Sequence, residues 1–282
     1  MLGLLLVPAQ PLAADGTGRM TISPVRVAAG STNTFTLTFA ADTGPLKGQT
    51  LVDVPRGWTA PQATNPNGAG YIRVAPGTCA ASTKLLGVAF RRLVIATSCA
   101  RGQTFTITYA NATAAVLSAD GYVFLAQTRP DPSTLPKPKP KPAPKGKKAK
   151  KRKRAKRVLV PFRPLASKKQ AYVVVTGGPF HHLVVQTTSV AIAGTPFGVT
   201  VRAVDAYGNN SPSYTGAVSF SSSDAAAALP TSGYRFTSTD AGGHLFTGVT
   251  LRTVGAQTIS ASDDQGHSGT STGIAVYPAG SG

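Results

Sequence analysis

Glutamate is missing from this 282-residue chain, in which all ten acidic residues are aspartates. Glutamate is a strong helix former, whereas the abundant valine and threonine favour strands, so the composition favours β structure. Chemistry that needs a pair of carboxylates would have to rest on scattered aspartates. Phosphate-cradling glycine patterns are also absent, and beyond the N-terminus no apolar run approaches the roughly 20 residues of a membrane span. These absences argue against a helical protein and against a transmembrane segment.

The N-terminus carries the longest apolar run of the chain. Residues 2–7 read Leu-Gly-Leu-Leu-Leu-Val, and a short stretch that ends at Ala14 follows. This order is typical of the end of a secretory signal peptide, with cleavage after Ala14. We therefore expect residues 1–14 to be a signal peptide remnant and the protein to be secreted or held at the cell surface. The alternative is an N-terminal strand.

Cysteine is nearly absent as well. Cys79 and Cys99 are the only two, and the C-x-x-C spacing of redox and zinc sites does not occur. In an exported chain an even pair of cysteines predicts one disulfide. Two buried free thiols are the alternative.

The positive charge is confined to one segment. The formal net charge is +19, but 17 of the 29 lysines and arginines lie between Arg129 and Lys169, together with one aspartate. The remainder of the chain holds 12 basic and nine acidic residues and is nearly neutral. The high positive net charge therefore belongs to this segment and not to the folded parts of the chain.

The basic segment has the composition of an unfolded spacer. Pro136–Pro144 alternates proline with lysine or alanine, which favours an extended polyproline conformation, and Lys147–Arg157 is too basic to bury a core. We expect residues 130–165 to be disordered. Dense cationic charge predicts non-specific binding to an anionic cell-wall polymer, extracellular nucleic acid or a host glycan. The candidate binding residues are Lys145, Lys147, Lys148, Lys150, Lys151, Arg152, Lys153, Arg154, Lys156 and Arg157. A solvated spacer without a partner is the alternative.

Apolar residues alternate with polar ones on both sides of this segment. The first half contains six candidate strands: 20–27, 34–39, 50–54, 88–96, 104–109 and 122–127. The second half contains seven within about 95 residues, separated by turn signals: 183–187, 197–204, 217–221, 234–237, 244–251, 257–262 and 273–277. This spacing is typical of an immunoglobulin-like sandwich. The predicted fold class is all-β, with two immunoglobulin-like β-sandwich domains.

The position of the basic segment depends on one further strand, Ala171–Thr176. The first domain ends one strand short of a closed seven-strand sandwich, and Ala171–Thr176 precedes the turn signal Gly-Gly-Pro. We expect this strand to complete the first domain, residues 15–177, with the basic segment as a long insertion. The second domain is then 178–282. A plain interdomain linker is the alternative.

Several blocks of the second half occur in the order of a known domain type. They are Ala193–Asn209, Tyr214–Phe220, Ser223–Ala226 and Gly255–Ala261. With them, residues 182–278 resemble a bacterial Ig-like domain of the invasin/intimin type. The resemblance implies a sandwich that serves as a stalk or adhesive module and has no catalytic residues to transfer.

The first half carries a weaker resemblance. Met20–Pro24 and Val54–Pro61 are similar to a less characterised Ig-like module of secreted bacterial proteins, and the likeness extends over residues 20–128. It implies a second sandwich of the same class and adds no site residues.

Candidate chemical residues are few. His181 and His182 are adjacent at a strand start, so we expect their side chains to point to opposite faces and not to share a metal easily. Asp263 and Asp264, with Asp240, form a weak calcium candidate that lacks an ordered loop motif. We therefore predict no catalytic residue, no metal and no cofactor.

Aromatic residues give one more candidate. Trp58 with Tyr71 could form a ligand platform, although a single tryptophan in a sandwich is more often part of the core. Three classes of function remain: an extracellular structural or adhesive module, a polyanion-binding protein that acts through the basic segment, and an accessory part of a secreted enzyme.

Overall fold

The computed structural model describes residues 16–134, 160–230 and 233–280. The expected signal peptide and all ten candidate polyanion-binding residues lie outside these ranges. Contacts divide the chain into two compact units: the first is Met1–Val25, Thr32–Thr113 and Gly121–Val173, and the second is Arg26–Ser31, Ala114–Asp120 and Val174–Gly282. The regular elements of the described residues are all strands, apart from three 3₁₀ helices at Pro132–Thr134, Ser167–Lys169 and Ser238–Asp240. The predicted all-β, Ig-like fold class is confirmed.

Eleven strands precede residue 177 in the chain. They are β1 Arg19–Ser23, β2 Arg26–Ala28, β3 Thr32–Ala40, β4 Leu46–Asp53, β5 Tyr71–Ala75, β6 Lys84–Ala89, β7 Arg92–Cys99, β8 Thr104–Thr113, β9 Ala119–Pro130, β10 Arg163–Pro164 and β11 Ala171–Thr176. In the first unit one sheet has the order β1-β3-β8-β5 and the other the order β11-β9-β4-β7-β6, with β10 beside β9.

The core of the first unit follows from the period of two in its strands. Phe35, Leu37 and Phe39 of β3 are fully buried, while the threonines between them face outwards or are half-buried. The partner strand β8 repeats the pattern, and its Phe105 stacks on Phe39 with ring centroids 5.0 Å apart. Alternating side chains point to opposite faces of a strand, so each of these strands contributes one apolar face to the core.

Ten strands follow in the second unit. They are β12 His182–Gln186, β13 Val190–Ile192, β14 Phe197–Val204, β15 Ala217–Ser222, β16 Tyr234–Arg235, β17 Gly243–Val249, β18 Gly255–Gln257, β19 Ile259–Asp263, β20 Ser268–Thr270 and β21 Ile274–Tyr277. They form three sheets with the orders β12-β14-β17, β13-β21-β18 and β16-β15-β19-β20. The core includes Val199 and Val201 of β14, Val218 of β15 and Ile259 of β19, all fully buried.

The main differences from the sequence-based strands lie at turns. The predicted strand 88–96 is wrong, because the structure turns the chain at Phe90 and Arg91 and pairs β6 with β7 as a hairpin. The predicted strand 257–262 is interrupted at Thr258 between β18 and β19. Neither stretch contains a glycine, proline or asparagine that would mark the interruption.

The two ends of the undescribed stretch 135–159 lie beside the same strand. β9 runs to Pro130 before this stretch, and β10 after it pairs with Gln127 and Thr128 of β9. The Arg129 guanidinium lies 4.3 Å from the centre of the Phe162 ring. The Gln170 side chain then accepts a hydrogen bond from the Ala126 N–H and donates one to the Ala126 carbonyl. The chain thus leaves β9 and returns to it.

We propose from this arrangement that residues 15–177 form one sandwich with the basic segment 130–165 inserted, and that 178–282 form the second. The supporting observation is that β11 lies next to β9 in the sheet. A plain linker would not bring its C-terminal end back to the strand that it left.

Limited trypsin digestion tests this organisation, because 13 lysines and arginines lie between Lys137 and Arg157. After cleavage there, we expect the N-terminal and C-terminal pieces to elute together in size-exclusion chromatography and to separate only in denaturant. Sheet hydrogen bonds would hold them. Two independently eluting pieces under native conditions would contradict the insertion and indicate a linker.

Candidate functional site

The two cysteines form the predicted disulfide. Cys79 and Cys99 are bonded, with their Cα atoms 4.5 Å apart, and both side chains are buried. The bond joins the end of β7 to the loop before β6, where the Ala80 N–H also donates to the Ser98 carbonyl. The disulfide therefore cross-links this end of the sheet and has no neighbouring feature of a redox site.

Two aspartate–histidine–tyrosine clusters lie in the second unit. In the first, Asp240 Oδ1 lies 2.8 Å from His244 Nδ1 and accepts a hydrogen bond of 3.0 Å from the Tyr234 hydroxyl. The His244 ring stacks on Tyr234, with ring centroids 4.0 Å apart. Burial opposes ionisation of Asp240, but hydrogen bonds from Thr237, His244 and Tyr234 outweigh it and lower its pKa to about 2.

The second cluster closes the turn between β19 and β20. Asp263 Oδ2 lies 3.0 Å from His267 Nδ1 and accepts a 3.0 Å hydrogen bond from the Tyr214 hydroxyl. Backbone N–H groups of Gln265 and His267 donate to its other oxygen. Burial together with the Asp263 carboxylate raises the pKa of Tyr214 well above its ordinary value. Both clusters use their carboxylates to fix the backbone.

These clusters do not form the weak calcium site considered from the sequence. Asp240 and Asp263 belong to separate clusters, each with its own histidine and tyrosine. Asp264 faces Arg235 across 3.7 Å instead. Across the described ranges, no group of three or more histidines, cysteines or aspartates is arranged to hold a metal ion.

The expected placement of the two adjacent histidines is wrong. His181 and His182 do not point away from each other: their Nδ1 atoms are 3.0 Å apart. The reason is that β12 begins at His182, so His181 precedes the strand and strand alternation does not apply to it. Both side chains are exposed.

Trp58 is a core residue and not an exposed platform. Its side chain is 4% exposed and makes edge-on contacts with Phe35 and Phe124 at centroid distances of 5.2 and 5.3 Å. Tyr71 is half-buried on β5. The alternative reading of Trp58 as packing is therefore the one that the structure supports.

Two buried aspartates hold turns in the second unit. Asp205 accepts hydrogen bonds from the backbone N–H groups of Gly178, Tyr207 and Asn209, at 2.7 to 2.9 Å. Although burial opposes ionisation, these bonds lower the pKa of Asp205. An aspartate that accepts from a turn two residues on was expectable from the sequence Asp-Ala-Tyr-Gly.

Asp224 joins its own turn to a distant segment of the second unit. It is 3% exposed and accepts from the N–H groups of Ala226, Arg252 and Thr253 and from the Thr253 hydroxyl. Burial opposes its ionisation, but these hydrogen bonds together hold the pKa of Asp224 far below its usual range. The donors at Arg252 and Thr253 are 28 and 29 residues away in the chain, so no local pattern predicts this contact.

One arginine of the first unit has a comparable role that the sequence did not reveal. The Arg91 guanidinium donates to the carbonyl oxygens of Val54, Pro55, Trp58 and Thr59. The neighbouring Phe90 is 98% exposed at the tip of the β6–β7 hairpin. No signal in the sequence indicated this tip, because neither Phe90 nor Arg91 is a residue that normally marks a hairpin turn.

Comparisons with known proteins add the following. The chain matches no model of a protein family and no curated protein. Among solved structures it is similar to the Escherichia coli adhesin FdeC, at 13% identity and a TM-score of 0.28, over 95% of this chain and 66% of that one. It is also similar to the apo structure of Bacteroides uniformis β-glucuronidase 3, at 9% identity and a TM-score of 0.30, over 92% of this chain and 25% of that one.

A third similar structure is the C-terminal 282-residue fragment of intimin in complex with the intimin-binding domain of its translocated receptor. The identity is 13% and the TM-score 0.21, over 91% of this chain and 62% of that one. FdeC and intimin contain Ig-like domains of the type that the sequence resembles. The chain spans less than two thirds of the length of each of these three chains.

Within the described ranges, no helix is long and apolar enough to cross a membrane.

The buried Asp224 carboxylate generates a prediction about stability. D224N keeps one acceptor oxygen but removes the negative charge to which four donors are hydrogen-bonded. We therefore expect the free energy of unfolding to be about 1.5–3 kcal/mol lower than that of the parent. Because the folded-state pKa is depressed, the carboxylate stabilises the fold above the unfolded pKa of about 4, and this stability is lost as pH falls through the folded pKa. Urea unfolding of the parent and D224N between pH 7 and 2 measures the difference in unfolding free energy at neutral pH and its decline below about pH 4.

D264N is the matched control, since Asp264 forms only an exposed, long ion pair with Arg235. It should change the unfolding free energy by less than about 0.5 kcal/mol. Equal stability of D224N and the parent at pH 7 would contradict the assigned role of Asp224.

Proposed function

We propose that the protein is an extracellular or cell-surface structural or adhesive module without catalysis. The observation that carries the proposal is the Cys79–Cys99 disulfide within an all-β fold. Disulfides persist in oxidising compartments outside the cytosol, and an apolar stretch typical of a signal peptide precedes the fold. The resemblance of residues 182–278 to invasin/intimin-type domains favours a stalk or adhesive role over a metabolic one.

The use of the polar side chains supports a role without catalysis. Asp205 and Asp240 are hydrogen-bonded to the backbone of their own turns, and Asp224 to the backbone of its own turn and of a distant segment. Catalytic groups instead need a free face toward a substrate and a pKa near the working pH. The pKa values of these aspartates are lowered because their carboxylates accept hydrogen bonds that hold the fold.

Localisation in the native host tests the proposal. We expect the protein in the wall or medium fraction, degraded by protease added to intact cells, and without alkylatable thiols before reduction. A cytosolic enzyme followed in the same fractions should stay protected, which controls for lysis. Recovery in the cytosol with two alkylatable thiols would contradict an extracellular role.

A second function rests on the basic segment. The 13 cations between Lys137 and Arg157 belong to a stretch whose two ends return to β9, so the charge is attached to the first unit at both ends. We propose that Lys145–Arg157 binds an anionic wall polymer, nucleic acid or anionic glycan. Such binding releases counterions and does not require a shaped pocket.

Replacing the ten candidate residues with glutamine, in the full chain, tests this second function. We expect binding to immobilised DNA and heparin to fall by at least about a hundredfold at 50 mM salt, because each neutralised phosphate contributes to the salt-dependent affinity. The parent should lose affinity steeply between 50 and 200 mM salt. R73Q/R101Q is the control with exposed cations removed from the folded surface, and it should bind like the parent. Undiminished binding of the ten-residue variant would place the site on a sandwich face.

A further inference from the structure

The two adjacent histidines bring two ring nitrogens to the separation that a shared metal ion requires. The Nδ1 atoms of His181 and His182 are 3.0 Å apart, and the planes of the two rings are nearly perpendicular, at 87°. An ion bound at about 2.0 Å from each of two nitrogens holds them about 2.9 Å apart at a right angle and about 3.3 Å apart at a tetrahedral angle. The observed separation lies within this range and is closer to the right-angled arrangement.

The fold fixes the backbone on both sides of the pair. The Phe180 ring packs edge-on against the His267 ring, with centroids 4.9 Å apart. The His181 N–H donates to the Val204 carbonyl at 2.8 Å, and His182 lies opposite Val204 in the pairing of β12 with β14. The two imidazoles therefore extend from adjacent positions of a strand end that packing and hydrogen bonds hold in place.

The fold makes no other use of the two imidazoles of this pair. Both are exposed, and among the described residues each is hydrogen-bonded only to the other. By contrast, Nδ1 of His244 lies 2.8 Å from Asp240, and Nδ1 of His267 lies 3.0 Å from Asp263. The second side-chain torsion of histidine has broad minima, so the exposed rings can rotate to direct both Nδ1 lone pairs at one ion.

The charged residues of the neighbouring strand and its turn are engaged elsewhere. The Arg202 guanidinium on β14 donates to Asn210 Oδ1 and to the Gly208 carbonyl. Asp205 accepts hydrogen bonds from backbone N–H groups of the same turn. The formal charges of Arg202 and Asp205 cancel, so an approaching cation meets no net positive charge from this strand and turn.

We propose that His181 and His182 chelate a copper(II) ion through their Nδ1 atoms, with water in the remaining coordination positions. Imidazole nitrogen suits copper, zinc and nickel, whereas calcium and magnesium prefer oxygen ligands. A structural zinc site would need four protein ligands. Two nitrogens near a right angle with open positions fit the tetragonal geometry of copper(II), which also binds nitrogen sites most tightly among the divalent first-row ions. This site goes beyond the proposed function, since neither adhesion nor polyanion binding involves it.

The chelation needs no net loss of a proton from the neutral pair. Before the ion binds, the Nδ1–H of one ring donates to the Nδ1 of the other, so only one Nδ1 carries a proton. On binding, that ring exchanges its proton with water and becomes the tautomer protonated at Nε2. Both rings then ligate through Nδ1, and their Nε2–H groups face water because both side chains are exposed. The ion thus replaces one exposed hydrogen bond.

Copper(II) titration of the full chain at neutral pH, in a buffer that does not bind copper, is the first test. We expect H181Q and H182Q each to weaken copper binding at least about tenfold, because the second imidazole no longer binds within the same molecule. H267Q is the control: it removes a histidine whose Nδ1 faces Asp263, and it should bind copper like the parent. Equal affinities of the parent and H181Q, or an equal loss in H267Q, would overturn the proposal.

The folding of the variants is checked without metal. The contact between the two rings is exposed, so H181Q and H182Q should melt at the temperature of the parent. Unchanged melting would confirm that their lost affinity reflects lost ligands and not a lost fold.

Pulsed electron paramagnetic resonance at one equivalent of copper(II) is the second test. We expect the parent to show two imidazole nitrogens coordinated to the copper and H182Q to show one. A parent spectrum with a single imidazole would overturn the chelate. Zinc competes in the same titration, and zinc binding that is tighter than copper binding would overturn the assignment of the ion.

Discussion

Backbone N–H and C=O groups at strand ends need partners, and in this protein a few charged side chains supply several of them. A sandwich has no helix in which these groups could bond to one another, and each buried group left unpaired costs free energy. Asp224 meets this need in the second unit by joining its own turn to Arg252 and Thr253. Arg91 meets it in the first unit by donating hydrogen bonds to four carbonyl oxygens between Val54 and Thr59. The strands on either side depend on these few contacts for their positions.

This use of charge has a consequence for function. A carboxylate that accepts three or four hydrogen bonds is stabilised as an anion and does not exchange protons near neutral pH. The same bonds occupy the oxygens that a metal or a substrate would need. Asp240 and Asp263 each have a histidine at hydrogen-bonding distance, but the pairs lie at the ends of turns and hold them. Asp205, Asp224, Asp240 and Asp263 are thus the acidic residues that hold backbone turns in the second unit.

Much of the fold was predictable because the apolar alternation is strong. The strand predicted over Phe197–Val204 is β14 to the residue, and those near Phe35 and Phe105 contain the buried rings that form the core. The turn at Phe90 was not predictable, because neither central residue is a glycine or asparagine. The partners of Asp224 were not predictable either, since they depend on which distant segments the tertiary fold brings together. Residue patterns describe one strand at a time, whereas these contacts join several.

The register of the first unit places the basic stretch and the β6–β7 hairpin at opposite ends of one strand. Gly48 of β4 pairs with Pro130, near the point where the basic stretch begins, and Asp53 pairs with Arg92 beside the hairpin tip. The root of the segment and the tip are thus about 17 Å apart along one strand, at roughly 3.3 Å for each of five residues. The basic stretch and the hairpin tip therefore leave the sheet at opposite ends of β4, so a partner held at the root of the stretch need not contact the hairpin.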